Sequence, residues 1–139
     1  LTFNWGLIMG WTAITNEISV DIILLYIAAI FWTLGYDTIY GVQDIFDDEI
    51  IGIKSTAIKF KKNIKLFVGI CYSLTSLLVL YLFRDNMEFN FATLFLFLFI
   101  FSLSYQIYNF KKDDPLSCLK SFKINNFSGF FVFIAIILF

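Results

Sequence analysis

Histidine is absent from this 139-residue chain, and proline occurs once, at Pro115. Without imidazole there is no Ser-His-Asp triad, no His general base and no His-containing zinc set. The two cysteines, Cys71 and Cys118, form no CxxC pair, so a thiolate metal site and a disulfide are both unexpected. Charge is scarce as well. Charged residues make up 15% of the chain, where a soluble domain carries about a quarter. Hydrophobic residues reach 60% and the mean hydropathy is +0.82. They come in long runs rather than with an amphipathic period, so lipid is the expected solvent and an ordinary soluble domain is excluded. The net charge of −1 gives no reason to expect a nucleic-acid partner.

Five apolar stretches stand out, at residues 1–14, 22–43, 66–83, 91–108 and 127–139. Crossing a hydrocarbon core of ~30 Å takes about 20 helical residues. The three middle stretches meet that length; the last is short unless the segment before it helps. The first is already under way at Leu1, with no charged region or cleavage site ahead of it. A signal peptide is therefore not expected, and the chain is expected to begin inside a longer protein.

Polar segments separate the stretches, and their charges alternate. Of the ten basic residues, Lys54, Lys59, Lys61, Lys62 and Lys65 share one segment, and Lys111, Lys112, Lys120 and Lys123 share another. The opposite turns hold only Arg84. The positive-inside bias then puts both lysine-rich segments, with the acidic residues beside the first, on the cytoplasmic side. The chain is expected in the bilayer of an inner (cytoplasmic) membrane.

A carboxylate inside a span is costly and marks a functional candidate. The second stretch ends in Tyr36-Asp37-Thr38-Ile39-Tyr40-Gly41-Val42-Gln43-Asp44-Ile45-Phe46-Asp47-Asp48-Glu49. On a helix continuing to Gly52, Asp37, Asp44 and Asp48 fall at i, i+7 and i+11, within about 20° of one line. Tyr40 lies beside that line and Asp47 points away, so Asp47 and Glu49 read as a solvated cap. Stacked carboxylates repel and call for a cation. With only oxygen ligands in reach, the expected ion is hard, Mg²⁺ or Mn²⁺, its shell completed by water and phosphate. Lys54-Ser55-Thr56 adds an ammonium and two hydroxyls for the same anion. A solvated cap with no chelate is the competing reading; Asp37, which has no cheap structural reason to lie inside the span, weighs against it.

These residues resemble a known family. The pattern YDTxYxxxDxxDDxxxGxKSTA, from Tyr36 to Ala57, is similar to the second aspartate-rich motif of the UbiA superfamily, and most similar to its 4-hydroxybenzoate polyprenyltransferase branch. Gly10-Trp11, Trp32-Thr33, the run from Cys118 to Phe122, Asn125-Asn126 and Gly129 extend the likeness over essentially the whole chain. The resemblance implies an all-α, polytopic transmembrane helical bundle of nine helices, of which residues 1–139 hold about the last five as the C-terminal part of one domain. It also implies a first acidic motif, NDxxDxxxD, upstream of Leu1, so the chain alone is expected to be inactive.

The implied reaction is Mg²⁺-dependent transfer of a polyprenyl group from polyprenyl diphosphate to the ring of 4-hydroxybenzoate, through an allylic carbocation, in ubiquinone biosynthesis. By match to the motif, Asp44 and Asp48 are the Mg²⁺ ligands. Asp37 supports them, holds a second ion or stands near the acceptor. Tyr40 lines the cavity and Lys54 touches the diphosphate. Asn125 and Asn126 read first as packing residues, and the remaining aromatics as lipid-facing or packing. Another acceptor (haem, a naphthoate or chlorophyllide) is the alternative within the superfamily. A CDP-alcohol phosphotransferase is disfavoured because its Asp-Gly and Ala-Arg pairs are missing. A transporter or assembly fragment whose acids relay protons is the non-catalytic alternative.

Overall fold

The computed structural model describes residues 2–139; the start of the first apolar stretch, at Leu1, lies outside the described residues. The architecture follows from the apolar runs, which satisfy their own backbone polar groups as helices, the only open-ended solution in lipid. A 3-10 turn at Thr2–Asn4 leads into α1 (Trp5–Thr15). Then come α2 (Val20–Gly41), α3 (Ile45–Ile51), α4 (Thr56–Lys59), α5 (Ile64–Phe83), α6 (Phe91–Asn109), α7 (Pro115–Lys123) and α8 (Asn125–Leu138). No strand occurs among the described residues. Four helical segments are long and apolar enough to cross a membrane: α2, α5 with the 3-10 turn Arg84–Asn86 that follows it, α6, and α7 together with α8. The chain is an integral membrane protein by this measure, an all-α bundle as expected.

Two details differ from the hydropathy reading. The first apolar stretch yields only the eleven-residue α1, which ends at Asn16 in the left-handed region (φ 57). The segment 109–126, expected as a loop, is helical from Pro115 onward. Pro115 sits at the first turn, where its missing N–H costs nothing, and Asp114 accepts hydrogen bonds from the N–H groups of Leu116 and Ser117. The turn at Ile124 keeps a helical backbone, and its N–H donates to the carbonyl of Lys120. Residues Pro115–Leu138 therefore form one 24-residue span. This supplies the help that the short last stretch required.

Helix α2 packs along α5, and α6 along α8. The buried positions of α5 (Ile64, Val68, Cys71, Tyr72, Thr75, Val79) and of α6 (Ala92, Leu96, Phe99, Leu103, Gln106) recur every three or four residues. Each span thus buries one stripe and leaves its other face apolar and open, for example Leu66, Leu77, Phe97 and Phe101. Where α2 meets α5, Gly35 lies under the Tyr72 ring so closely that a Cβ would run into it.

Lipid offers no hydrophobic drive for helices to associate, so close backbone approach and interhelical hydrogen bonds carry more of the load. Thr75 Oγ1 donates to the Ala28 carbonyl across α5 and α2 (3.2 Å). A longer chain joins α5, α6 and α8. Tyr72 OH donates to Gln106 Oε1 (2.7 Å), Gln106 Nε2 donates to Ser128 Oγ (3.0 Å), and Ser128 Oγ meets Ser102 Oγ (2.7 Å). Ser102 Oγ donates onward to the Phe99 carbonyl (2.7 Å). All four side chains are buried, and one direction of donation satisfies the whole chain.

Candidate active site

The acidic segment follows α2 without continuing it. The N–H groups of Val42, Gln43 and Asp44 reach back three residues, to the carbonyls of Ile39, Tyr40 and Gly41. The α-helical pattern resumes with Asp48 N–H on the Asp44 carbonyl (2.8 Å), and Asp44 itself stands at φ −104, ψ 3 as the residue before α3. Turns closed over three residues rotate by about 120° per residue rather than 100°. The three tightened residues therefore swing Asp44 and Asp48 by on the order of 60° from the line that a continuous helix gives. The expected single stripe of Asp37, Asp44 and Asp48 is corrected by this break.

Asp37 is exposed on α2, one turn before Gly41 and so about 6 Å inside its end. Asp44 is exposed, Asp48 half-buried, and Asp47 and Asp48 occupy the first turn of α3, where the helix dipole favours negative charge. Among the described residues no group of three or more His, Cys, Asp or Glu side chains gathers closely enough to hold a metal ion. The donor set is nonetheless of the right kind. Asp44 and Asp48 offer carboxylate oxygens within reach of solvent, and a Mg²⁺ ion takes one or two protein carboxylates with water and phosphate for the rest.

Gly52 closes α3 in the left-handed conformation (φ 80), and the N–H groups of Gly52 and Ile53 both reach the Asp48 carbonyl. Only glycine takes that backbone without strain. The chain then reverses into Lys54-Ser55-Thr56, and here the expectation of two free hydroxyls is corrected. Ser55 Oγ caps α4 by accepting from Ile58 N–H (3.3 Å), and Thr56 Oγ1 lies 2.8 Å from Thr38 Oγ1 on α2. The Thr56 O–H is spent on Thr38, whose own donates to the Leu34 carbonyl, whereas Ser55 only accepts, so its O–H and the exposed Lys54 are the groups left for an anion. Glu49 pairs with Lys61 (2.8 Å) at the surface, consistent with a solvated cap.

An aromatic wall leads toward the acids along α2. Trp32, Tyr36 and Tyr40 recur every four residues, one helical turn apart. Phe122 of α7 lies against Tyr36 (5.9 Å between ring centres) and Tyr40 (4.8 Å), and Trp32 meets Phe99 edge-on (5.2 Å). Tyr40 keeps 41% of its surface exposed on this wall. Trp32 Nε1 donates to Asn125 Oδ1 (3.0 Å), and Asn4 Nδ2 donates to Thr33 Oγ1 (2.9 Å). A cavity of about 420 Å³ lies among Asn4, Trp32, Thr33, Tyr36, Phe122 and Asn125. Sequence reasoning placed Tyr40 here but left out Trp32, Tyr36 and Phe122. For Trp32 and Tyr36 the signal is the four-residue spacing with Tyr40 on α2; Phe122, on α7, joins only by contact. Asn125 packs as expected and also borders the cavity.

The UbiA prenyltransferase family matches residues 1–135. Among similar proteins, the 4-hydroxybenzoate polyprenyltransferase, mitochondrial, of Homo sapiens is 38% identical over 140 residues, covering 99% of this chain and 38% of its own length. The Bos taurus protein of the same name is 36% identical with the same coverage. A 4-hydroxybenzoate octaprenyltransferase of Serratia proteamaculans is 37% identical over 98% of this chain and 47% of its own length. The chain thus spans less than half the length of these relatives. No solved structure matches it significantly. With the motif from Tyr36 to Ala57 in place and the match running almost end to end, the chain belongs to the UbiA prenyltransferase family.

Proposed function

We propose that this chain is the C-terminal part of a single membrane prenyltransferase domain. The full-length protein would transfer a polyprenyl group from polyprenyl diphosphate to the ring of 4-hydroxybenzoate, in ubiquinone biosynthesis. What supports this reading is the family match over residues 1–135, with Asp44 and Asp48 following the wall residue Tyr40 along the chain within the motif from Tyr36 to Ala57. The names of the similar proteins supply the acceptor.

In this reading Asp44 and Asp48 would hold Mg²⁺, which when bound would supply positive charge for the diphosphate leaving group. Lys54 adds a positive charge on the same anion. The allylic carbon, now electron-poor, lies along Trp32, Tyr36 and Tyr40, whose ring faces favour a cation and whose bulk keeps water from trapping it. The acceptor ring attacks through the carbon next to its hydroxyl, forming the new C–C bond, and the ring proton then leaves. Asp37, one turn inside the end of α2, would support these ligands, hold a second ion or stand near the acceptor. The rest of the shell comes from the remainder of the full-length protein, and both lysine-rich segments face the cytoplasmic or equivalent side of the membrane.

The test is prenyl transfer by membranes carrying the full-length protein, with polyprenyl diphosphate, 4-hydroxybenzoate and Mg²⁺, and the product followed by mass spectrometry. Asp44→Ala and Asp48→Ala each lower turnover by at least a hundredfold, and chelation of divalent ions abolishes it. Unchanged turnover in both variants would sink the ligand assignment. Prenylation of a naphthoate or a porphyrin in place of 4-hydroxybenzoate would reassign the acceptor.

A further inference from the structure

A basic cavity, lined by none of Asp44, Asp48 and Lys54, opens at the seam between α5 and α6. Lys62 and Lys65 at the start of α5 face Lys111 and Lys112 just past the end of α6, around a cavity of about 620 Å³ that Asp113 and Asp114 also line. These lysines lie within three residues of the ends of two spans, Ile64 and Asn109, and so at the depth of lipid headgroups. None of the four takes part in an ion pair among the described residues, where the pairs are Lys61–Glu49 and Arg84–Asp85. Asp114 caps α7 through one carboxylate oxygen and keeps its charge, so four ammonium groups face two carboxylates and the cavity remains net positive.

The rim is held in shape rather than loose. Ser117 Oγ accepts from Lys111 N–H (2.8 Å), Cys118 Sγ donates to the Lys111 carbonyl (3.3 Å), and Lys65 Nζ sits 5.3 Å from the centre of the Phe110 ring. Farther along the same seam, α5 and α6 part to leave a groove of about 390 Å³ bordered by Ser73, Leu77, Ile100, Ser104 and Ile107. Leu66 and Ile70 are exposed on α5 between the basic cavity and this groove. A cationic cavity at headgroup depth, continued by an apolar groove at chain depth, matches one kind of molecule.

We infer that the α5–α6 seam binds an anionic phospholipid, with its phosphate among Lys62, Lys65, Lys111 and Lys112 and an acyl chain in the groove beside Leu77 and Ile100. Basic pockets between spanning helices recognise such headgroups, and each lysine near an anionic surface adds about five-fold in affinity. Asp44, Asp48 and Lys54 are not among the residues that line the basic cavity.

The full-length protein, reconstituted in phosphatidylcholine nanodiscs with 20% phosphatidylglycerol and then released into detergent, reports retained lipid by native mass spectrometry. Wild type retains phosphatidylglycerol in preference to phosphatidylcholine. Replacing the four lysines (Lys62→Gln, Lys65→Gln, Lys111→Gln and Lys112→Gln together) lowers retention at least ten-fold, and Ser73→Phe, which fills the groove and keeps the charges, lowers it as well. Lys120→Gln with Lys123→Gln leaves it unchanged. Retention that survives the four-lysine change, or that falls equally with the α7 pair, overturns the site. Displacement of the lipid by millimolar inorganic phosphate shows a free-anion site and overturns the lipid reading. Wild type with no retained lipid shows that another part of the full-length protein covers the seam, and also overturns it.

Discussion

The indole N–H of Trp32 on α2 donates to Asn125 Oδ1, 93 residues later at the start of α8, at 3.0 Å. Asn125 Nδ2 in turn donates to the Phe122 carbonyl (3.0 Å), so one amide fixes both the aromatic wall and the α7–α8 junction. Trp32→Phe keeps the ring contact with Phe99 but leaves the Asn125 oxygen unpaired. It is expected to cost about 1 kcal/mol of stability. Asn125→Leu alone loses both bonds and should cost more, and the double variant should lose less than the sum of the two single changes. Thermal inactivation of the full-length protein in detergent measures all three, and strictly additive losses would show that the bond is not felt.

At Gly35 the tolerance is steric. A methyl group there meets the Tyr72 ring across the tightest contact between α2 and α5. Gly35→Ala should destabilise by about 1–3 kcal/mol, in the range of overpacked cores. The double variant Gly35→Ala, Tyr72→Leu should recover part of that loss in a thermal-shift assay. Wild-type stability for Gly35→Ala alone would mean that the two helices slide apart at little cost.

Gln106 is the middle of the buried polar chain. Gln106→Leu strands the Tyr72 hydroxyl and also takes away the donor to Ser128, which keeps Ser102, whereas Tyr72→Phe removes only the first donor. The leucine variant should therefore be the less stable of the two by about 1 kcal/mol or more. Equal melting temperatures would contradict the chain as drawn.

The Thr38–Thr56 pair sets where Lys54 stands. Thr56→Val removes the hydroxyl that meets Thr38 Oγ1 and frees the turn before α4. If Lys54 binds diphosphate, KM for polyprenyl diphosphate should rise several-fold while KM for 4-hydroxybenzoate stays the same. Thr56→Ser should restore it. A change in the acceptor KM alone would place the turn elsewhere in the reaction.

Much of this molecule can be read from residue order. Helices α2, α5 and α6 follow apolar runs long enough to leave no other arrangement, and the residues from Tyr36 to Ala57 carry the family by themselves. Helix α7 could not be read from hydropathy, because Lys120 and Lys123 alternate there with the buried Cys118 and Ser121. Its signal was periodicity, with Asp114-Pro115 marking the start. The break at residues 42–44 had a weaker cue. Gly41 lowers helix propensity, yet Asp37, Asp44 and Asp48 satisfy a continuous helix equally well. The wall of Trp32, Tyr36 and Phe122 was hidden by abundance, for in a chain with 19 Phe, 7 Tyr and 3 Trp an aromatic residue carries little information by type. What distinguished these three was contact with one another across α2 and α7.

The chain from Tyr72 through Gln106 and Ser128 to Ser102 uses only hydroxyls and an amide, with each donor directed to the next acceptor. Between residues 66 and 83, 91 and 109, and 125 and 138 there is no carboxylate, ammonium or guanidinium at all. Such a chain has nowhere to park an extra proton and no partner of suitable basicity to pass one to. Helices α5, α6 and α8 are thus tied to one another by neutral groups alone, and salt in the surrounding water has no charge there to screen.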